Sequence, residues 1–143
     1  MHSETAALTI LHVATGVFFL TTGARKCFIP GVRQQVCNLF DSHGVPKPVQ
    51  FMVIGGEFFG GIALLLGFLT QFASAGLLVI MAGAYLLDTW PNVHSEARAA
   101  RWTWHKLLSK ALCTPEAQLI VVLLGLLFMG AGRISLDYAL RLP

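Results

Sequence analysis

The sequence predicts an all-α protein that crosses a membrane as a four-helix bundle, with interfacial amphipathic helices in its loops. The first observation is composition: 55% of the 143 residues are apolar and 12% are charged, whereas about a quarter are charged in ordinary soluble domains. The second is that the apolar residues form four long runs without the polar stripe that a soluble bundle needs. We expect a single domain, 1–143, with spans at about 6–23, 49–69, 72–87 and 117–132.

The first apolar run, 6–23, is expected to be a retained helix. A cleaved signal peptide has a basic start and a small-residue cleavage site. The residues before this run include Glu4 but no lysine or arginine, and no such site follows. Arg25 and Lys26 come soon after the run; by default, such side chains extend to the lipid headgroups.

The second and third spans share one apolar segment, Val49–Leu87. As a single helix it would be about 58 Å long, nearly twice the ~30 Å hydrocarbon thickness of a bilayer. The only polar interruption is Gly67–Gln71, which predicts a tight hairpin between the two spans.

The fourth span opens with Thr114, Pro115 and Glu116. Threonine is a good N-cap, proline suits the first helical position, and an acid favours the positive end of the helix dipole. This pattern predicts a helix start just before 117–132.

The basic residues predict the orientation of the chain. Most lie in the two long connections, and only Arg133 and Arg141 fall on the opposite side. Since cytoplasmic loops are enriched in lysine and arginine, we expect both loops to be cytoplasmic and both termini to lie outside. The loop residues are Arg25, Lys26, Arg33, Lys47, Arg98, Arg101, Lys106 and Lys110.

Both long loops are predicted to contain amphipathic helices, at 93–112 and 32–40. In each, apolar residues recur at helical spacing and polar residues occupy the remaining face, a pattern typical of helices in the headgroup plane. Anionic lipid is favoured over a protein as the partner of 93–112. The net charge of +3 is modest, and no nucleic-acid partner is expected. The proposed membrane-surface residues are Arg98, Arg101, Trp102, Trp104 and Lys106.

Glu57 is the strongest functional candidate, because it is the only acidic residue between Val49 and Leu87. An ionised carboxylate in a bilayer core costs a few kcal/mol. The small residues Gly56, Gly60 and Gly61 flank it, and such residues let a neighbouring helix approach closely. Two interpretations stay open: Glu57 handles a proton, or it holds helices together as a protonated hydrogen-bonding group.

A polar pocket is expected around Glu57 at the basic rim. A helical side chain leans toward its helix N-terminus, which here is the basic side. His12 lies near the opposite surface and leans away, so we expect it to pack in a helix–helix contact. Lys26 and Tyr85 are the ligand candidates of the pocket. The residues expected at the rim are Thr21, Thr22, Arg25, Lys26, Tyr85, Asp88 and Glu116.

The cysteines Cys27, Cys37 and Cys113 are odd in number and lack C-x-x-C spacing. A cytoplasmic setting would keep them reduced. Cys27 and Cys113 fall at adjacent span ends and could meet, which leaves redox-active thiols open. The sequence contains no motif for covalent haem attachment, a zinc protease, a phosphate loop or a nucleophile elbow, and we expect no metal site.

Four separated segments resemble the DoxX family of membrane proteins, and together they cover nearly the whole chain in the right order. Gly23–Lys26 resembles the family's small-residue-plus-lysine signature, and Ser42–Pro48 resembles its entry to the second span. Glu57 with the following Gly60–Thr70 resembles its acidic residue and glycine-leucine stretch. Gly132–Asp137 resembles its terminal motif.

The resemblance implies a four-helix protein of a bacterial or archaeal cytoplasmic membrane. Some relatives are linked to thiosulfate:quinone oxidoreduction and others to thiol and oxidative-stress complexes. His94 is a further ligand candidate, because it stands for a histidine often found there in the family. The loop 97–112 departs from the pattern by being longer and more basic, which indicates a specialised partner.

Two functional hypotheses follow, and whether the protein is an enzyme stays open. In the first, it is the membrane subunit of a quinone- or thiol-linked redox system and binds a quinone non-covalently. Glu57 then handles a proton while Lys26 or Tyr85 contacts a carbonyl oxygen. In the second, it is a non-catalytic accessory subunit that packs against a larger respiratory, photosynthetic or dehydrogenase complex.

Overall fold

The computed structural model describes residues 2–130, 135 and 137 of the chain. Over 2–130 the chain is helical apart from short connections, so the all-α prediction is confirmed. The helices are α1 (His2–Phe28), α2 (Pro30–Ser42), α3 (Lys47–Leu66), α4 (Thr70–Ala84), α5 (Trp90–Ala99), α6 (Trp104–Leu112) and α7 (Pro115–Met129), and a π-helical turn, Tyr85–Thr89, joins α4 to α5.

Within the described residues, three helices are long and apolar enough to cross a membrane. They are Ala6–Phe28, Lys47–Leu66 and the continuous helix Thr70–Ala99. A fourth span is formed only if α6 and α7 are counted as one segment bent by 60°. At 15 residues, α7 alone is about 22 Å long and shorter than the ~30 Å hydrocarbon core.

Four helices surround a common core. α1 lies along α3, α3 contacts α4, α4 lies along α7, and α7 contacts α1. Large apolar side chains such as Phe59, Val79 and Phe128 point outward, as expected when lipid is the solvent. The arrangement confirms the membrane bundle. The core residues are Phe19 from α1, Leu64 from α3, Leu77 and Met81 from α4, and Leu123 and Leu126 from α7.

The hairpin between α3 and α4 lies where the polar interruption predicts it. Gly67 has a φ of 62°, and the amides of Gly67 and Phe68 donate to the carbonyls of Leu64 and Ala63. This is a Schellman motif, in which glycine adopts the left-handed conformation at low cost. The carboxylate of Asp137 accepts hydrogen bonds from the next two amides, so a distant residue closes the turn.

Two predicted boundaries differ from the structure. The third span was expected at 72–87 and an interfacial helix at 93–112, but one helix runs from Thr70 through the π-helical turn to Ala99. The predicted interfacial helix is instead two helices, because Arg101 adopts a φ of 48°. The Trp102 amide donates to the Ala97 carbonyl across this break.

The predicted start of α7 matches the structure, since the Thr114 hydroxyl accepts from the Ala117 amide. The predicted end of the fourth span does not lie fully within the described residues: 131 and 132 fall outside them. Of the terminal motif, only Ser135 and Asp137 are described.

Candidate functional site

The site begins with the close contact between α1 and α3. A Cβ atom added at Gly16 would lie 2.5 Å from the Leu65 amide nitrogen, and one added at Gly23 would lie 2.6 Å from that of Phe58. Gly61 faces the α1 backbone at Leu20 in the same way. Only glycine permits backbones to approach this closely. The antiparallel helices are therefore locked in one register.

That register places Lys26 opposite Glu57. The Lys26 ammonium nitrogen lies 2.6 Å from each carboxylate oxygen of Glu57. Glu57 is 1% exposed, and the Lys26 side chain is 24% exposed. A charge in low dielectric is tolerated when an opposite charge and hydrogen bonds satisfy it. Lys26 therefore turns toward Glu57, although the default expectation for this side chain was the headgroup region.

A cavity of about 480 Å³ lies against this ion pair. Its walls come from α1, α3, α4 and α7, and Val36, Leu39 and Phe40 of α2 also line it. The lining is mainly apolar, and the polar side chains among it are few. Those with a charge or hydroxyl are Thr22, Lys26, Glu57, Asp88 and Glu116.

A polar network joins α2 to the start of α3 beside the cavity. The Lys47 ammonium lies 2.6 Å from Asp41, and the Gln50 amide donates to the Asp41 carboxylate at 2.6 Å and to the Val45 carbonyl at 2.8 Å. The hydrogen bonds from Lys47 and Gln50 lower the pKa of Asp41. Gln50 is buried on α3. The network therefore holds α2 over the bundle.

Four of the seven residues expected at the rim line this cavity. Thr22, Lys26, Asp88 and Glu116 line it together with Glu57. Tyr85 does not, because its hydroxyl donates to the Ala111 carbonyl at 3.3 Å. The other two, Thr21 and Arg25, are exposed on α1 and are not among the lining residues.

Tyr85 and His94 belong to a separate aromatic group. The Tyr85 ring lies 6.4 Å from that of Trp90, which stacks on His94 at 6.1 Å. Neither His94 nor Tyr85 lines the cavity. Their assignment as ligand residues therefore stays a prediction.

His12 and the glycines near Glu57 occupy different contacts. His12 is buried and lies fourteen residues before Lys26, about 21 Å along α1. Gly56 and Gly60 face α4, where an added Cβ would lie 2.9 Å from side-chain atoms of Ile80 and Leu77 respectively. The close backbone contact between α1 and α3 is instead made at three glycines: Gly61 of α3 faces Leu20, and Gly16 and Gly23 of α1 face Leu65 and Phe58. Sequence reasoning missed those two α1 glycines as packing residues, although their seven-residue spacing puts them on one helix face.

The three cysteines and the predicted membrane-surface residues are not among the lining residues of the cavity. Cys27, Cys37 and Cys113 carry free thiols, and Cys27 approaches the Ile54 carbonyl at 4.0 Å. Cys27 and Cys113, whose contact the sequence left open, are both free thiols in the described part of the chain. The predicted membrane-surface residues are on α5, on α6 and in the connection between them, where Arg98, Arg101, Trp104 and Lys106 are exposed and Trp102 is half-buried.

Comparison with known proteins identifies the family of this chain. The family model described as DoxX matches residues 7–90, which include Lys26, Glu57 and most of the cavity lining. No curated protein and no solved structure matches the chain. Since the family match covers more than half of the 143 residues, this multi-pass membrane protein belongs to the DoxX family.

Proposed function

We propose that the protein is the membrane subunit of a quinone- or thiol-linked redox system and binds a quinone in the cavity beside Lys26 and Glu57. The single observation that carries this proposal is the cavity itself. Its volume of about 480 Å³ lies within the ~300–1,000 Å³ range of small-molecule sites. Apolar walls with a few convergent polar groups suit a hydrophobic ring that carries carbonyl oxygens.

Lys26 is the group that we assign to the quinone carbonyl. A lysine ammonium has three N–H donors, and two are directed at the oxygens of Glu57. The third is left to donate to a carbonyl oxygen in the cavity. Tyr85 is less suitable, because its hydroxyl already donates to Ala111.

Glu57 supplies the proton-handling group. Reduction of a quinone to a quinol takes up two electrons and two protons, and the electrons would come from a redox group on a partner subunit. Both protons come from water at the rim: Glu57 takes up each proton and passes it to Lys26 as the Lys26 ammonium gives its own proton to a quinone oxygen, so the hydrogen-bonded pair is restored after each transfer. General acid–base transfer of this kind requires hydrogen-bond reach, which the 2.6 Å separation supplies.

The test is the variant Glu57→Gln in the full chain, assayed in native membranes together with its partners. We expect quinone-linked turnover to be lost while the chain remains inserted. Glu96→Gln is the matched control, because Glu96 is an exposed carboxylate on α5. A second variant, Lys26→Gln/Glu57→Gln, replaces the ion pair by two amides that can still bond to each other. Unchanged turnover in the inserted Glu57→Gln protein would overturn the proposal.

The second candidate function is a non-catalytic accessory subunit of a larger respiratory, photosynthetic or dehydrogenase complex. The observation that favours it is that both oxygens of Glu57 are bonded to Lys26, so the pair serves as a link between α1 and α3. Under this view, Glu57→Gln leaves turnover intact, whereas deletion of 97–112 releases the subunit from its partner. Retention of the partner after the deletion would contradict it.

A further inference from the structure

The apolar face of helix α6 is only partly buried against the rest of the protein. Ala111 is buried and Leu107 is half-buried against the rest of the bundle. Trp104, Leu108 and Leu112 are spaced four residues apart and form an exposed stripe next to them. Trp104 is 71% exposed. Such a stripe requires an apolar medium at the side of the helix.

The other half of α6 is cationic and borders an open concavity of about 560 Å³. Side chains four apart lie on one helix face, which explains why His105 with Ser109 and Lys106 with Lys110 line it together. Trp102 and Cys113 complete the lining at the two ends of the helix.

The position of α6 puts this concavity where the apolar helix α7 enters the bundle. α6 joins α7 at Pro115 with a bend of 60°, so α6 lies across the end of the bundle while α7 runs into it. The cationic concavity and the exposed apolar stripe therefore sit side by side at the entry of α7. Tryptophan is enriched at this level of a bilayer.

We infer that α6 binds an anionic phospholipid. The phosphate of the headgroup occupies the concavity beside Lys106 and Lys110, and the acyl chains lie along Trp104, Leu108 and Leu112. A molecule that combines a negative head with apolar chains satisfies both halves of the helix at once. Glu96 lies 3.8 Å from the Lys110 ammonium, but both side chains are more than half exposed, and such a pair is worth little. Lys110 therefore remains available to a phosphate.

The experiment uses the full chain in nanodiscs that contain equal amounts of phosphatidylglycerol and phosphatidylcholine. Native mass spectrometry then measures which lipid stays bound. We expect the wild-type chain to retain phosphatidylglycerol preferentially. Because each basic residue near anionic lipid contributes about 1 kcal/mol, removal of both in Lys106→Gln/Lys110→Gln should reduce this retention roughly thirtyfold. Arg25→Gln/Arg33→Gln removes two exposed charges elsewhere and should leave it unchanged.

Four results would overturn the inference. Equal retention of the two lipids by the wild-type chain would show no anionic site. An equal loss of phosphatidylglycerol retention in both double variants would show that net charge alone attracts the lipid. Displacement of phosphatidylglycerol by excess inorganic phosphate would show an anion site rather than a lipid site. If the wild-type chain shows no lipid preference and holds a protein that Lys106→Gln/Lys110→Gln releases, the surface is a protein interface and the lipid assignment is wrong.

Discussion

The Lys26 ammonium lies 2.6 Å from both carboxylate oxygens of Glu57 and joins α1 to α3 inside the bundle. The two partners differ in their access to water. Glu57 is 1% exposed, whereas the Lys26 side chain is 24% exposed. Removal of Lys26 and removal of the Glu57 charge should therefore destabilise the fold by different amounts.

The first prediction is that Lys26→Met destabilises the protein more than Glu57→Gln. Loss of Lys26 leaves a buried carboxylate without its partner, which costs about 3 kcal/mol or more. Loss of the Glu57 charge lets Lys26 turn to water at the rim, so the cost is that of a charged hydrogen bond, about 1.5 kcal/mol. Thermal unfolding in one detergent would measure both values.

The double variant Lys26→Met/Glu57→Met is the control for this comparison. It removes both charges and replaces them with apolar side chains, which is often neutral for a buried pair. Its stability should lie within about 1 kcal/mol of the wild-type value. A double variant as unstable as Lys26→Met would contradict the asymmetry argument.

The second prediction concerns the helix contact that sets this pair in register. Gly23→Ala would put a methyl group 2.6 Å from the Phe58 amide nitrogen, and such overpacking costs about 1–3 kcal/mol. The helices would separate and the distance between Lys26 and Glu57 would increase. Gly55→Ala is the matched control on α3, because nothing lies within 4 Å of its added Cβ. Equal unfolding temperatures for the two alanine variants would disprove close packing at Gly23.

The third prediction is an acid-dependent attachment of α2. Lys47 and Gln50 lower the pKa of Asp41 below its ordinary value of 3.8. A lowered pKa in the folded state stabilises the fold at pH values above 3.8, and this contribution is lost as the pH falls through the folded pKa. The protection of the α2 amides, which is their hydrogen-exchange rate relative to the intrinsic rate at the same pH, should therefore fall below about pH 4.

Asp41→Asn tests whether Asp41 is the source of that acid response. The variant should exchange faster at neutral pH and should show a weaker change on acidification. Glu96→Gln, which alters an exposed carboxylate on α5 that pairs with Lys110, should keep the wild-type profile. An unchanged acid response in Asp41→Asn would assign the effect to another group.

The sequence was enough to predict most of the residues that surround Glu57. It was not enough to predict the contacts that these residues make with Glu57. The lean of a helical side chain and the span boundaries were enough to bring Thr22, Lys26, Asp88 and Glu116 to one rim. The ion pair was not foreseen, because it depends on the register of α1 against α3 that Gly16 and Gly23 determine. The break at Arg101 was missed for a different reason: arginine has no preference for a left-handed conformation, so no local signal marks it.

The fourth prediction concerns Asp137, which lies far along the chain from the α3–α4 turn but holds it. Its carboxylate accepts from the Leu69 amide at 2.5 Å and the Thr70 amide at 2.8 Å, and its own amide donates to the Gly67 carbonyl at 2.9 Å. Leu69 has a φ of 46°, which is costly for a leucine, so the turn depends on these bonds.

Asp137→Ala leaves two amides without their acceptor and should destabilise the protein by about 2 kcal/mol. Asp137→Asn keeps one side-chain acceptor and should lose less. Hydrogen exchange at Leu69 and Thr70 would report the effect directly, and full protection of both amides in Asp137→Ala would show that the turn does not need the carboxylate.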